Sequence, residues 1–105
     1  MDILQSYNSL RIVFYKYSLI NGVVYFHFNV TTKDKEVNLL LRDRYSHLRE
    51  FYLQIKGKSP KGLKLPSFPK RGFLLQQTRT SLLNRQKHLQ KFFDGLLDCK
   101  SQVFH

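Results

Sequence analysis

A chain of 105 residues is long enough for one domain with a modest core and too short for two. Its 42% hydrophobic content, with nine Phe and six Tyr, favours a packed domain over a disordered tail, and no run of about 18 apolar residues is present to span a bilayer. Eighteen Lys and Arg against seven Asp and Glu give a net charge of +11, which indicates a polyanionic partner: nucleic acid, an anionic membrane or an acidic protein surface.

Two features near the ends of the chain indicate the cellular compartment in which the protein is expected. The N-terminus lacks a basic segment followed by an apolar one, so we expect no secretory signal. The lone Cys99 cannot form an internal disulfide and is expected to be a packing residue, in agreement with a reducing, cytoplasmic setting.

The first part of the chain predicts two antiparallel strands. From Ser9 the sequence is rich in β-branched and aromatic residues. Asn21-Gly22 then supplies the two positive-φ positions favoured in a tight type I′ hairpin. The following run alternates as a half-buried strand does. Its apolar face holds Val24, Phe26, Phe28 and Val30.

A polar turn at 32–35 leads to a third strand, with Val37, Leu39 and Leu41 on one face. Three strands joined by short turns form a meander whose apolar face needs helices to cover it. The predicted fold is therefore α+β. It is a three-stranded antiparallel β-meander packed against a helical subdomain of three to four helices, with a proline-bearing loop between the first and second helices.

The first predicted helix starts where the third strand ends, near Asp43 or Arg44, and Asp43 is a suitable N-cap. It is expected to end at Gly57. Arg44 and Tyr45 therefore lie at a strand-to-helix junction, where a guanidinium, an aromatic ring and helix N-terminal N–H groups suit a phosphorylated ring. The alternative is a surface charge beside a residue at the edge of the core. The apolar stripe of this helix comprises Leu48, Phe51, Tyr52 and Ile55.

A loop over 58–72 follows, with all three prolines, and loops of this length in small domains are usually functional. The last helical region is predicted from about Gln77 to Leu97, with Gly95 weakening its final turn and another short helix beginning near Ser101. Arg85 projects from its apolar side, where it either extends to the rim of the core or lines a pocket with Arg44. The buried stripe comprises Leu82, Leu89, Phe92, Phe93 and Leu96.

These motifs in this order resemble the phox-homology (PX) domain of sorting nexins and related peripheral membrane proteins, over about residues 9–105. The resemblance rests on the meander, on Arg44-Tyr45-Ser46, on the proline-bearing loop that ends in Lys70-Arg71, and on 84–89 opening the last helix. It implies a non-enzymatic domain that binds phosphatidylinositol 3-phosphate and recruits its protein to endosomal or vacuolar membranes in membrane trafficking.

The resemblance also implies a role for each matching residue. Arg44 corresponds to the arginine that holds the 3-phosphate, and Tyr45 to the aromatic residue under the inositol ring, with Ser46 beside them. Arg71, with Lys70 close by, corresponds to the basic residue at the 1-phosphate. Arg85 corresponds to the helix arginine that binds the 4- and 5-hydroxyls.

The chain departs from the family pattern in two places near the start of the first helix. The family usually has an acidic residue and then Phe after the Ser, where this chain has His47 and Leu48. Asp43 stands where many members carry a second basic residue. Neither change removes a residue expected to contact the headgroup.

Phe73, Leu74 and Leu75 follow the basic pair and match the loop that inserts into the membrane in this family. The alternative is that Phe73 and Leu75 pack into the domain as the start of the apolar stripe of the last helix. The chain is accordingly divided into a lead-in (1–8), the β-meander (9–42), the first helix (43–57), the proline and membrane loops (58–76) and the C-terminal helices (77–105).

Insertion of apolar side chains, attraction of basic side chains to anionic lipid and one headgroup contact would act together in membrane binding. The expected electrostatic contributors are Lys56, Lys58, Lys61, Lys64, Lys70 and Arg79.

Other functions have less support in the sequence. A nucleic-acid-binding module would use the same positive charge, but the aromatic residues fall mainly on core faces and no helix-turn-helix, zinc or RNP-type motif is present. Another phosphoinositide, or a protein partner on the same fold, stays open. The carboxylates and the four His show no catalytic or metal-ligand spacing, so we expect neither an enzyme nor a metal or other cofactor.

Overall fold

A computed structural model describes residues 10–32, 36–59, 61–70 and 77–103, with side chains up to residue 98. Within these residues the elements are β1 (Leu10–Ile20), β2 (Val23–Thr32), β3 (Asn38–Asp43), α1 (Tyr45–Lys58) and α2 (Arg79–Val103). The strands form one antiparallel sheet in the order β1-β2-β3. The α+β class and the three-stranded meander are therefore confirmed.

The expectation of three to four helices is wrong for the described residues, which hold two. The last helix continues without a break through Gly95 to Val103, so no separate short helix begins near Ser101. The loop between the helices is described only over 61–70, where the backbone forms neither helix nor strand.

The hairpin between β1 and β2 has the geometry that its sequence predicts. Asn21 and Gly22 have φ values of 51° and 79°, and Ile20 pairs with Val23 across this two-residue turn. A positive φ at both central positions matches the right-handed twist of the flanking strands.

A β-bulge at Tyr15 shifts the register of β1 between Phe14 and Lys16. Because the extra residue reverses the alternation of side chains, Ile12 and Phe14 before it and Tyr17 after it all pack against the same core. The bulge therefore lets one strand contribute to the core along most of its length.

Helix α2 covers this strand and also pairs with its outer edge. Gln90 accepts a hydrogen bond from the Phe14 amide (2.7 Å) and donates to the Ile12 carbonyl (2.8 Å), as a neighbouring strand would. The predicted stripe of α2 is buried, with exposed fractions of 7% for Leu82 and 0% for Leu89. The edge of β1 is thereby closed by a side chain of the helix.

Among the described residues, the apolar face of the sheet is only partly covered at β3, which corrects the expectation that helices cover this face. On β3, Leu39, Leu40 and Leu41 are 49%, 70% and 43% exposed. The cause is the placement of α2 against β1, at the far side of the sheet from β3.

Helix α1 begins one residue later than its capping signal predicts. Arg44 is the N-cap and makes no side-chain capping bond, whereas Asp43 is the last residue of β3 and pairs with Phe26. Gly57 does not end the helix, which continues to Lys58, and the Ser59 hydroxyl donates to the Ile55 carbonyl at its end (2.7 Å).

Candidate functional site

The segment at residues 61–70 is anchored by one aromatic side chain, Phe68. Its ring stacks on Tyr52 of α1 (centroids 5.0 Å apart, 8° between planes) and meets Phe92 of α2 edge to face (5.1 Å, 90°). Since both helices hold this ring, the backbone next to it, including the Pro69 carbonyl, is fixed between them.

A close approach at Gly95 brings the same segment against α2. A Cβ at position 95 would lie 3.0 Å from Cβ and 3.2 Å from Cγ of Pro66. A side chain at position 95 would press on the ring of Pro66, so glycine suits this close approach although it lowers helix propensity.

Tyr45 and Arg85 form a buried pair where α1, α2 and this segment meet. Their exposed fractions are 4% each, and the Arg85 Cζ lies 4.7 Å from the centroid of the Tyr45 ring. The Tyr45 hydroxyl donates to the Pro69 carbonyl (2.5 Å). The ring thus connects the proline segment to the guanidinium, in a geometry suited to a cation–π interaction.

Burial lowers the pKa of Arg85 from its ordinary value, and the adjacent Tyr45 side chain offsets part of that effect. An arginine keeps its charge under all physiological conditions even so. A permanent cation is therefore held at the apolar side of α2, as its position in the sequence predicts.

Arg85 lines a cavity of about 330 Å³ at the N-terminal half of α2. The other lining residues are Pro69, Ser81, Asn84 and His88. A neighbouring cavity of about 640 Å³ shares Pro69 and His88 with it and includes Lys70. The smaller cavity is lined mainly by polar side chains around Arg85, whereas the larger one adds Lys70 but also the carboxylate of Asp94 and two aromatic rings. These concave spaces are large enough for a polar ring.

Arg44 lies next to Tyr45 in the chain, but its guanidinium contacts a different residue. Its Nε and Nη2 atoms lie 3.3 and 3.2 Å from Nε2 of His47, one turn along α1. The side chain is exposed, and it is not among the residues that line the two cavities. The structure therefore brings together Tyr45 and Arg85, and it places Arg44 at the exposed start of the helix.

The remaining predicted site residues divide into two groups. Ser46 is exposed on the first turn of α1, and Lys70 is exposed at the larger cavity. Arg71, Phe73, Leu74 and Leu75 lie outside the described residues, so their roles stay predictions.

Three cavity residues were not assigned to the site from sequence: Ser81, Asn84 and His88. Ser81 lies four residues before Arg85, Asn84 one residue before it, and His88 three residues after it. These spacings place the side chains on one face of a helix. This periodicity around Arg85 is the signal that could have identified them. Pro69, by contrast, reaches the cavity only because Phe68 packs between the helices.

The six basic side chains expected to face an anionic surface are all exposed; they are Lys56, Lys58, Lys61, Lys64, Lys70 and Arg79. In the described ranges, no helix combines the length and the apolar character needed to cross a bilayer. Nor do three or more His, Cys, Asp or Glu side chains come together there as a metal site would require.

Comparison with known proteins identifies the family. A search of curated proteins found no match. The family model of the PX domain matches residues 31–103, well over half of the chain, and this range includes β3, both helices and the Tyr45–Arg85 pair. PX domains are phosphoinositide-binding modules that associate peripherally with membranes, and they are not enzymes. This chain belongs to the PX domain family.

Proposed function

We propose that this PX domain binds phosphatidylinositol 3-phosphate and recruits the protein that carries it to endosomal or vacuolar membranes. The observation that supports the proposal best is Arg85, a buried cation that lies over the Tyr45 ring and lines a cavity at the proline segment. A cation held in place by an aromatic ring at the wall of a concave site is an arrangement typical of ligand-binding sites.

In this proposal Tyr45 and Arg85 form the floor of the headgroup site. The ring of Tyr45 supports the inositol, and Arg85 donates to the 4- and 5-hydroxyls. Arginine suits this role because its planar donors can bind two adjacent oxygens at once. A phosphate at position 4 or 5 would have to fit where these hydroxyls lie, which favours a headgroup phosphorylated at position 3.

Arg44, at the N-terminus of α1, binds the 3-phosphate. Donors and the partial positive charge at a helix start favour an anion, and this first turn holds no acidic residue. Ser46 on the same turn adds a hydroxyl donor. Lys70 and Arg71, at the end of the proline segment, bind the 1-phosphate that joins the headgroup to the lipid.

Membrane attachment combines this contact with two less specific terms. Each exposed Lys or Arg near an anionic surface contributes about 1 kcal/mol. Each large apolar side chain of Phe73, Leu74 and Leu75 that enters the bilayer contributes roughly 1.5–3 kcal/mol. The headgroup contact selects the membrane, and the other two terms lengthen the time on it.

The test is a liposome sedimentation panel with phosphatidylinositol 3-, 4- and 5-phosphates, using wild type, Arg44→Ala and Arg85→Ala. Loss of a charge-assisted hydrogen bond costs about 1.5–3 kcal/mol, so each variant is expected to lose roughly tenfold or more of its 3-phosphate-dependent binding. Arg11→Ala, with the same charge change at an exposed position on β1, is the matched control and should retain it.

Because Arg85 is buried, Arg85→Met, which keeps much of the side-chain volume, accompanies the Ala variant, and circular dichroism checks that each is folded. Wild type that binds the three lipids equally, or folded Arg85 variants that bind phosphatidylinositol 3-phosphate as wild type does, would contradict the proposal. Binding to single-stranded nucleic acid at matched salt, in preference to any liposome, would favour the nucleic-acid-binding alternative.

A further inference from the structure

We propose that His47 controls the availability of Arg44: the neutral imidazole occupies the phosphate-binding edge of the guanidinium, and protonation of the imidazole releases it. Headgroup binding at this site should therefore strengthen as the pH falls. The inference rests on the proposed function, because it assigns a positioning role to a residue next to the proposed phosphate ligand.

The hydrogen bonds around His47 define its tautomer. Nδ1 lies 2.7 Å from Oδ1 of Asp43, a carboxylate that only accepts, so Nδ1 carries the proton. Nε2 of the neutral ring then has a free lone pair. It faces Nε and Nη2 of Arg44 at 3.3 and 3.2 Å and accepts from both. Asp43, His47 and Arg44 thus form a chain that runs from the end of β3 to the first turn of α1.

The occupied edge of Arg44 is one that a phosphate also uses. Nε–H and Nη2–H point in parallel and can bind two oxygens of one phosphate side by side. While one imidazole nitrogen accepts from both groups, a phosphate has to displace it to bind there. Neutral His47 is therefore a competitor for the same donors.

Protonation reverses this relation. The imidazolium carries N–H on both nitrogens, so Nε2 can no longer accept, and it presents a donor and a positive charge to the Arg44 guanidinium. The contact with Asp43 becomes a charged pair at 2.7 Å and keeps the ring in place. The guanidinium moves away, and two adjacent cations then face solvent where a phosphate is expected.

His47 lies at the surface, and its contacts there are mainly with charged groups. Its side chain is half exposed (50%), so the ring is not required to fill the core. The charged groups that face it are Asp43 from the end of β3 and Arg44 from the start of α1, and the first turn holds no acidic residue. Proton uptake at this position therefore changes the contacts of Arg44 with little demand on packing.

The experiment measures the affinity for water-soluble inositol 1,3-bisphosphate by isothermal titration calorimetry at about pH 7.5 and about pH 5.8. The variants are His47→Gln, which keeps an acceptor but cannot be protonated, and His47→Ala, which removes the acceptor. Since the phosphate also loses charge near pH 6, the reported quantity is the wild-type affinity divided by that of His47→Gln at the same pH.

This ratio is expected to be close to one at the higher pH and to rise about three- to tenfold at the lower pH, as one linked proton allows. His47→Ala should bind more tightly than wild type at the higher pH. Arg11→Ala, at an exposed position on β1, should keep the wild-type affinity at each pH.

The outcomes separate the two proposals. Absence of binding by wild type at both pH values, or equal binding by Arg44→Ala, would overturn the proposed function and this inference with it. Binding that depends on Arg44, with a ratio that stays constant or falls on acidification, would overturn the role of His47 alone. The role of His47 would also be overturned if nitrogen-15 NMR spectra showed that the neutral imidazole carries its proton on Nε2 rather than on Nδ1.

Discussion

The direction of the Arg85 side chain can be predicted from its neighbours in the sequence. Arg85 lies three residues after Leu82 and four before Leu89, both of which are buried, so helical periodicity predicts its inward direction. The contact with the Tyr45 ring could not be predicted in the same way. It depends on the angle between two helices and on the ring of Phe68 between them, which no local pattern encodes.

His27 on β2 is a second residue whose electrostatics follow from its position, here from strand register. It pairs with Lys16 on β1 and with Arg42 on β3, and its Nε2 lies 2.7 Å from the Ser18 hydroxyl. Burial, and then the charges of Lys16 and Arg42, lower its pKa from the ordinary value of 6.5. The folded state thus disfavours the charged imidazole relative to the unfolded chain.

A pH dependence of stability follows. The pKa of His27 is lower in the folded protein than in the unfolded chain. Its contribution to the free energy of unfolding is therefore fully present above about pH 6.5, and it is lost as the pH falls through the pKa of the folded protein, because the unfolded chain then binds the extra proton. We expect the free energy of unfolding, measured with urea, to decrease below this pH and to decrease less steeply in His27→Gln. Identical slopes in the two proteins would contradict this assignment.

Among the elements, the strands were predicted best. Alternation in β2 predicted that Val24 and Phe26 are buried, and they are 8% and 1% exposed. The bulge at Tyr15 was not predicted, because β-branched and aromatic residues fill both faces of β1 and give no clear period. The end of α1 was misplaced at Gly57, because a glycine near a helix end is a common stop signal but not an obligatory one.

The two helical glycines allow a matched test of how the proline segment packs. An added Cβ at Gly57 meets nothing within 4 Å, whereas at Gly95 it lies 3.0 Å from Pro66. Gly57→Ala is expected to raise the free energy of unfolding by up to about 1 kcal/mol, from helix propensity alone. Gly95→Ala is expected to lower it by about 1–3 kcal/mol, since the ring of Pro66 must shift.

Urea unfolding of both variants checks this pair. Equal stabilisation by the two substitutions would show that Pro66 moves without cost and that the segment is not held against α2. If the segment is held, Gly95→Ala should also weaken headgroup binding, because Pro69 and Lys70 lie only three and four residues after Pro66 in the same segment.

For the whole molecule, the net charge of +11 left the kind of polyanion open, and only the order of motifs along the chain indicated a lipid headgroup. The family match then established a PX domain over residues 31–103. The identity of the headgroup depends on the room around Arg85 and on the direction of Arg44. Neither can be derived from charge or periodicity, because both are set by packing between distant segments.

Within the described part of the chain, the partial exposure of β3 depends on how all the elements pack, and it differs from the prediction. Alternating apolar residues predicted a covered face, yet Leu39 and Leu41 remain 49% and 43% exposed. Within the described residues, α2 packs against β1 and α1 packs against β2, and the side chains of β3 remain partly exposed. Alternation predicts which side chains share a face, but the number and placement of the helices decide whether that face is covered.

The central claim is that Arg85 and Arg44 bind one inositol ring phosphorylated at position 3. Nitrogen-15 NMR of the arginine side chains, during titration with short-chain, soluble phosphatidylinositol 3-phosphate, tests it most directly. The Nε–H signals of Arg85 and Arg44 should shift together and saturate at one ligand per chain, while that of Arg11 stays unchanged and the 4-phosphate isomer has little effect. Saturable binding that leaves the Arg85 signal in place would contradict the account.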